Sequence, residues 1–325
     1  MNLVKTCDFA TKHEDLIHHM AYDYYGRRLA TCSSDLRIKI WEFLEHENKW
    51  INPENGGWKA HDGSVLRVTW AHPEFGQILA SCSFDKSIKI WEEQDFDGKG
   101  TLKRWFERAK LQDSRGAVLD IEFAPQHLGL KLAACSSDGF LRIYEAMDPV
   151  GLNNWTMQED IDIVSGSSRD SAALYCLSWC TSPFQPPMIA VGCGREARIY
   201  RQDQSKWGSH EILGGHEGVI CDIAWAPNIG RSYHLIATAS KDGKVRIFKL
   251  REERSGKHGD SFKLANQFTV DSVETLDHGG EQVWKVEWNV TGTVLSSSGD
   301  DGKVRLWTST YAEKWICMGT VSAEL

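Results

Sequence analysis

One spacing, in five intact copies and one decayed copy, leaves few folds open to this chain. An aspartate is followed six residues later by an aromatic residue that closes a short, β-branched run. The clearest copy, WNVTGTVLSSSGDDGKVRLW (288–307), sets Asp301 against Trp307. NVTG (289–292) and GDDG (299–302) have turn chemistry, because Asn, Asp and Gly tolerate the positive φ of tight turns. TVLSSS and KVRLW have strand composition, so the segment reads strand, turn, strand, turn, strand. The same spacing joins Asp35 to Trp41, Asp85 to Trp91, Asp138 to Tyr144 and Asp242 to Phe248. The decayed copy, GCGREARIY, keeps Tyr200 but has Gly194 in the aspartate's place.

The terminal aromatics fall 50, 53, 56, 48 and 59 residues apart. A fixed motif with variable spacers is one supersecondary unit repeated, its length differences absorbed in surface loops. Six such units span 13–321, so a single domain over 1–325 is expected, with a short N-terminal strand segment at 1–12. In repeat one, strands are expected near 16–22, 28–33 and 36–41, with an outer strand around Trp50. Outer strands are also expected around Trp105, Trp155, Trp207, 262–268 and Trp315. Helical periodicity is absent. Two loops stand out: CTSPFQPP (180–187), by its prolines, and the polar REERSGKHGDS (251–261), which is expected to be mobile.

Composition excludes several function classes. A net charge of −8 and a pI near 5.9 argue against nucleic-acid binding, which calls for a basic face. Nine cysteines include no CxxC pair to suggest zinc or a redox dithiol. Cys32, Cys82 and Cys135 each stand three residues before the repeat aspartate, in a slot that holds Ala239 and Ser298 later on. That slot calls for a small buried residue, and a free cysteine serves as one. Reduced thiols, no leader-like segment and no long apolar run lead us to expect a cytosolic or nuclear protein without membrane insertion.

Candidates for chemistry are weak. Histidine and aspartate recur about 24 residues apart with the period of the fold, which marks a repeated structural device rather than a set of active sites. VGCGREAR (191–198) is a fragment of a glycine-rich loop, but it opens no helix and lacks the third glycine. Cys176 and Cys180 read as core and loop positions, and Asp300-Asp301-Gly302 lacks the alternating oxygens of a calcium loop. No nucleophile–base pair stands out from the repeat. The chain is therefore expected to be no enzyme, with no catalytic, cofactor or metal residues.

Four-strand units with an aspartate turn and a closing aromatic are the signature of β-propeller blades, and nearly the whole chain resembles the WD-repeat family. That resemblance implies, in each blade, a buried network of a histidine before the first strand, a Ser or Thr in the second, the turn aspartate and the tryptophan. His61, Asp85 and Trp91 fit it in blade two, and His278, Asp301 and Trp307 in blade six. Asp35 and Trp41 fit in blade one, with His13 a weaker match; His216 and Asp242 fit in blade five, where Phe248 cannot donate. Asp138 has no matching histidine in blade three, and blade four has neither residue.

Closed propellers commonly let the N-terminal strand complete the last blade, yet the sixth repeat already owns an outer strand, KWICMGTV (314–321). The N-terminal strand at 3–9 then belongs beside a blade that the chain does not encode, in an open ring that a partner completes between blades six and one. Leu3, Val4 and Phe9 are its expected apolar partner contacts. WAHPEFGQILASCSFDKSIKIWEE (70–93), APNIGRSYHLIATASKDGKVRIF (226–248) and the segment 288–307 resemble the Seh-type nucleoporins, the sisters of the small COPII coat propeller. HEDLIHHMAYDYYGRRLATCSSD (13–35) fits both sisters, while WAHPEFG and APNIGRSYH favour the nucleoporins. The resemblance implies a six-bladed open propeller whose seventh blade comes from an α-solenoid scaffold nucleoporin of the Y-shaped nuclear pore subcomplex. It implies a second assignment in a GATOR or SEA-type nutrient-signalling complex on the lysosome or vacuole. The other readings are a vesicle-coat propeller and a substrate-receptor propeller of a modifying enzyme.

Overall fold

The computed structural model describes residues 9–53, 56–95, 103–164, 174–204, 206–252 and 268–322. These fall into two compact units, one taking the described residues up to 164 and the other those from 174 onward. Each unit holds three antiparallel blades. Blade one comprises β1 (Ile17–Tyr22), β2 (Arg28–Ser33), β3 (Arg37–Leu44) and a broken outer strand, β4 (Lys49–Ile51) and β5 (Trp58–Lys59), both pieces pairing with β3. Blade two comprises β6 (Val65–Trp70), β7 (Ile78–Ser83), β8 (Ile88–Asp95) and β9 (Lys103–Leu111). Blade three comprises β10 (Val118–Phe123), β11 (Lys131–Ser136), β12 (Phe140–Ala146) and β13 (Trp155–Asp162).

In the second unit, blade four is β14 (Tyr175–Trp179), β15 (Met188–Cys193), β16 (Glu196–Asp203) and β17 (Lys206–Leu213). Blade five is β18 (Ile220–Trp225), β19 (His234–Ser240), β20 (Lys244–Glu252) and β21 (Phe268–Asp277). Blade six is β22 (Val283–Trp288), β23 (Val294–Gly299), β24 (Lys303–Ser309) and β25 (Trp315–Ser322). Among the described residues the only helical turns are two of 3₁₀ type, at Pro73–Phe75 and Gln126–Leu128. The fold is that of an all-β, six-bladed WD-repeat propeller. The expected outer strand at 262–268 begins at Phe268; its earlier residues lie outside the described ones.

Inner strands reveal how blades join. In blades one, two, three, five and six a bulge follows the first ladder residue of the inner strand. One extra residue turns the next side chains over, so positions one, four and six of the strand share a face. In blade two these are Val65, Val68 and Trp70, and they meet blade one's Ala30, Cys32, Ile38 and Ile40. Val118, Ile121 and Phe123 meet blade two in the same way, and Val283, Val286 and Trp288 meet Ala237, Ala239, Val245 and Ile247 of blade five. Each blade thus has an incoming face of large apolar residues. The outgoing faces of blades one, two and five carry two small residues on the second strand and two β-branched ones on the third. Burying each large residue contributes about 1.5–3 kcal/mol, so a joint between two blades is worth several such terms. Cys32, Cys82, Cys135 and Ala239 fill the small slot and are fully buried, whereas Ser298 of blade six is only half-buried.

Candidate docking faces and the buried networks

The repeat aspartate closes the turn between second and third strands. Asp35, Asp85, Asp138, Asp242 and Asp301 each accept from the amide two residues on, at 2.9–3.2 Å. In blade two the other carboxylate oxygen accepts from His61 Nδ1 (3.0 Å) and from the Asp62 amide (3.1 Å). His61 Nε2 lies 2.8 Å from Ser81 Oγ, which accepts the Trp91 indole N–H at 2.9 Å. A neutral imidazole satisfies every group: Nδ1–H donates to Asp85, the serine hydroxyl donates to Nε2, and the hydroxyl oxygen takes the indole. Ser87 adds a hydroxyl donor to Asp85 at 2.6 Å.

Blade one repeats the chain through His13, Asp35, Thr31 and Trp41 at 2.7, 2.9 and 3.0 Å. Blade five has His216, Asp242 and Thr238 at 2.8 and 2.7 Å, with Phe248 buried in place of the indole. Blade six departs from this pattern. Arg305 Nη1 lies 2.6 Å from His278 Nδ1 and donates to Asp301 (2.6 Å), so the guanidinium stands between imidazole and carboxylate. His278 Nε2 lies 3.0 Å from Ser297 Oγ, which also accepts from Trp307 (2.8 Å). Arg305 Nη1 also lies 3.1 Å from Nε2, and which ring nitrogen accepts from it depends on the tautomer.

Blade three has no histidine before its first strand, and Arg142 of the third strand does its work. Its guanidinium donates to Ser136 Oγ (2.8 Å) and Asp138 Oδ2 (3.0 Å), while Ser114 stands in the histidine's sequence place, 3.2 Å from Nη1. Ser136 also bonds Asp138 directly. The sequence reading did not identify Thr31, Ser81, Ser87, Thr238, Ser297, Arg142 or Arg305. One signal was available: a Lys or Arg stands four residues after the repeat position in all six blades (39, 89, 142, 198, 246 and 305).

Electrostatics follow from this packing. Burial alone would raise the Asp35 carboxyl, but hydrogen bonds from His13 and from the Arg37 and Glu14 amides outweigh it and hold it below the ordinary value. Asp85, Asp138, Asp242 and Asp301 are held low by the same balance. Burial lowers His13, His216 and His278 against the pull of their carboxylates. Burial pushes the Cys32 thiol up to about 12, which makes it inert. Among the described residues no His, Cys, Asp and Glu side chains group so as to hold a metal, and no helix is long and apolar enough to cross a membrane. The glycine-rich fragment at 191–198 is the β15–β16 hairpin turn around Gly194. Cys176 and Cys180 are buried.

Two faces break the rule of the joints. On the incoming face of blade one, Ile17, Met20 and Tyr22 are 43%, 63% and 57% exposed, where Val65 and Val68 of blade two are at 1% or below. On the outgoing face of blade six, Val304 is 39% exposed and Ser296, Ser298 and Leu306 are half-buried, although Ala30, Cys32, Ile38 and Ile40 at the same positions are buried. Phe9 lies beside blade one in no strand, its ring 4.9 Å from Trp41 and 6.0 Å from Trp50. The next residues are tied down as well, since Lys39 Nζ donates to the Thr11 and Lys12 carbonyls at 3.1 and 2.5 Å. Leu3 and Val4 lie outside the described residues.

The WD domain, G-beta repeat model matches residues 2–42, 54–92, 208–249 and 271–308, taking in the four blades that have a network histidine. Nucleoporin seh1 of Schizosaccharomyces pombe is 45% identical, the alignment covering 100% of this chain and 98% of that one. Nucleoporin SEH1 of Saccharomyces cerevisiae is 40% identical over 97% and 99%, and nucleoporin SEH1 of Homo sapiens 44% over 95% and 86%. The chain belongs to the SEH1 nucleoporin family. SEH1 nucleoporins are non-catalytic structural proteins, so in this chain the histidine–aspartate pairs are devices of the fold. What remains for function is surface, and the two terminal blade faces are the surfaces that its internal joints do not explain.

Proposed function

We propose that the chain is a scaffold subunit of the Y-shaped subcomplex of the nuclear pore, binding an α-solenoid nucleoporin by accepting from it a blade in trans. The observation that carries this is the exposure of Ile17, Met20 and Tyr22 at positions that blades two, three, five and six cover with a neighbouring blade. An apolar strand face of this kind favours partner binding over solvent. Backbone pairing and face packing from another chain are the physical means to cover it. Leu3, Val4 and Phe9 belong to the same docking region, so deleting residues 2–9 weakens partner binding more than it lowers the stability of the blades. The same surface serves a second assembly of GATOR or SEA type at the lysosomal or vacuolar membrane surface.

Affinity capture of the full chain from its own cells, with mass spectrometry, tests this. An α-solenoid nucleoporin recovered in one-to-one amount is the expected result, with nutrient-signalling subunits in a separate pool. A coat solenoid in its place makes the chain a vesicle-coat propeller. A modifying enzyme with short peptide substrates makes it a receptor.

A further inference from the structure

The two ends of the second unit differ in what they show to solvent. In a four-strand meander the first-to-second and third-to-fourth connections share one end; the second-to-third turn and the link to the next blade share the other. At the first end of this unit lie loops 180–187, 226–233 and 289–293 and the turn 310–314. Their tips, Phe184, Ile229, Val290 and Tyr311, are 93%, 68%, 84% and 112% exposed, the four most exposed large apolar side chains of the unit. Ile212 follows at 52%, on the outer strand of blade four. Among the described residues, no loop of the opposite end exposes a large apolar side chain.

Hydrogen bonds tie these loops into one surface. Gln185 donates to Glu252 of blade five at 3.3 Å, and Lys249 of blade five to Glu313 of blade six at 2.8 Å. Arg231 donates to the Gly292 carbonyl at 2.7 Å and to its own loop's Pro227 carbonyl at 2.5 Å. Each long tip is also braced from within: Asn228 Oδ1 accepts the Arg231 amide at 2.9 Å, and Asn289 Oδ1 accepts the Thr293 and Val294 amides at 2.8 and 3.0 Å. With these amides engaged, the loops offer no strand edge to an extended peptide. Charge is the second observation. The carboxylates on the loops and on the β16–β17 turn are Asp203 and Glu313, and both are held: Asp203 by Arg201 and His210 at 2.9 Å each, Glu313 by Lys249. Lys206, Arg231 and Lys314 pair with no carboxylate among the described residues. This end therefore has a positive excess, on a chain whose net charge is −8.

We propose that this end of the second unit docks peripherally on an anionic membrane surface. Phe184, Ile229, Val290 and Tyr311 enter to headgroup depth, and Lys206, Arg231 and Lys314 meet the acidic headgroups. Single apolar tips on separate loops suit a fluid interface, which closes around each of them, whereas a folded partner calls for one continuous apolar patch. Tyrosine suits that depth because its ring is apolar and its hydroxyl stays wet. Lysine and arginine beside the tips keep their charges in the headgroup layer while their stems follow the apolar side chains. Such a contact lies on the bilayer and spans nothing. It uses neither terminal blade face and does not depend on a blade accepted in trans.

Vesicle flotation of the full chain tests this. Phosphatidylcholine vesicles with about 30% phosphatidylserine should carry the chain upward, and pure phosphatidylcholine vesicles about tenfold less of it. Salt at about 1 M, where the Debye length is about 3 Å, should release most of the bound chain. Ile229→Asp and Tyr311→Asp should each cut the bound fraction about tenfold, by placing a charge where an apolar tip must enter. Lys314→Ala should cut it about fivefold, the share of one cation near an anionic surface. Ile212→Asp, away from the loops, should stay within about twofold of the parent. All four side chains are exposed, so the melting temperatures of the variants should match the parent's. A parent chain that does not float with the anionic vesicles would overturn the proposal and turn the tips toward a protein. So would tip variants that float like the parent, or an Ile212→Asp loss as large as theirs. No partner protein is present in this assay, so its failure leaves the proposed scaffold function standing, and a failed capture of the solenoid leaves this proposal standing.

Discussion

Blades two and three place a buried carboxylate at the same turn and satisfy it by different chemistry. In blade two a neutral imidazole from before the first strand reaches Asp85, with a serine relaying the indole of Trp91. In blade three the cation of Arg142 comes from the third strand, and Tyr144 closes the blade without an indole. Both carboxyls are nevertheless held below their ordinary values, because in each case donated hydrogen bonds outweigh burial. The repeat therefore preserves a satisfied carboxylate at the turn rather than a particular residue beside it. The two solutions should differ in how they fail.

Removing the carboxylate separates them most. Asp138→Ala removes one of the two carboxylates beside the buried Arg142 cation, leaving Asp160 at 3.1 Å from Nε and the hydroxyls of Ser114 and Ser136, and should cost about 3–5 kcal/mol. Asp85→Ala strands a neutral imidazole, a hydroxyl and two amides, at about 1–3 kcal/mol. Urea unfolding of the full chain measures both. A smaller loss at Asp138 than at Asp85 would mean that the Arg142 ion pair is worth no more than a neutral hydrogen bond.

Acid should distinguish the blades next. His13, His216 and His278 sit below the ordinary histidine value when folded, so the unfolded chain binds the extra protons. Their contribution is complete above about pH 6.5 and is lost as pH falls through the folded values, with a slope of at most about 1.4 kcal/mol per pH unit for each histidine. Blade three has no such group in its network; its loss begins only below about pH 4, when Asp138 must take a proton. Hydrogen exchange at pH 5 against pH 7 should show strands β18–β20 of blade five weakening before strands β10–β12 of blade three. Simultaneous weakening would show that the histidines are not what titrates.

The sequence made the repeat legible because its period is set by backbone geometry: turn chemistry at fixed offsets and an aromatic end. Strands at Arg28–Ser33 and Trp315–Ser322 fall where the pattern puts them. The aspartates and histidines of blades one, two and five were equally readable, since Asp35, Asp85 and Asp242 meet His13, His61 and His216 directly. Arg142 and Arg305 were not, because a basic residue four positions after the aspartate looks like an ordinary polar strand position until the fold turns it inward. The bulge was hidden for a related reason. It shifts Met20 and Tyr22 onto the face of Ile17 in a sequence, IHHMAY, that alternation alone would split between two faces.

The smallest effect lies in the turn itself. The residue after the aspartate adopts the left-handed conformation in both blades, at φ 84° for Gly139 in blade three and φ 69° for Lys86 in blade two. A side chain there costs about 1–2 kcal/mol, which glycine avoids at about 0.5–1 kcal/mol of chain entropy. Lys86 is exposed and Gly139 buried, so the two positions differ in room as well as in strain. Lys86→Gly should therefore gain at most about 1 kcal/mol, and Gly139→Ala should lose about 1–2 kcal/mol. Both are within reach of denaturant midpoints when the slope of the transition is unchanged. If Lys86→Gly instead lowers the midpoint, the lysine stem must be packing on the blade, and the strain at this turn would already be offset by contact. A neutral Gly139→Ala would remove the reason for glycine at the turn and leave the aspartate alone to define it.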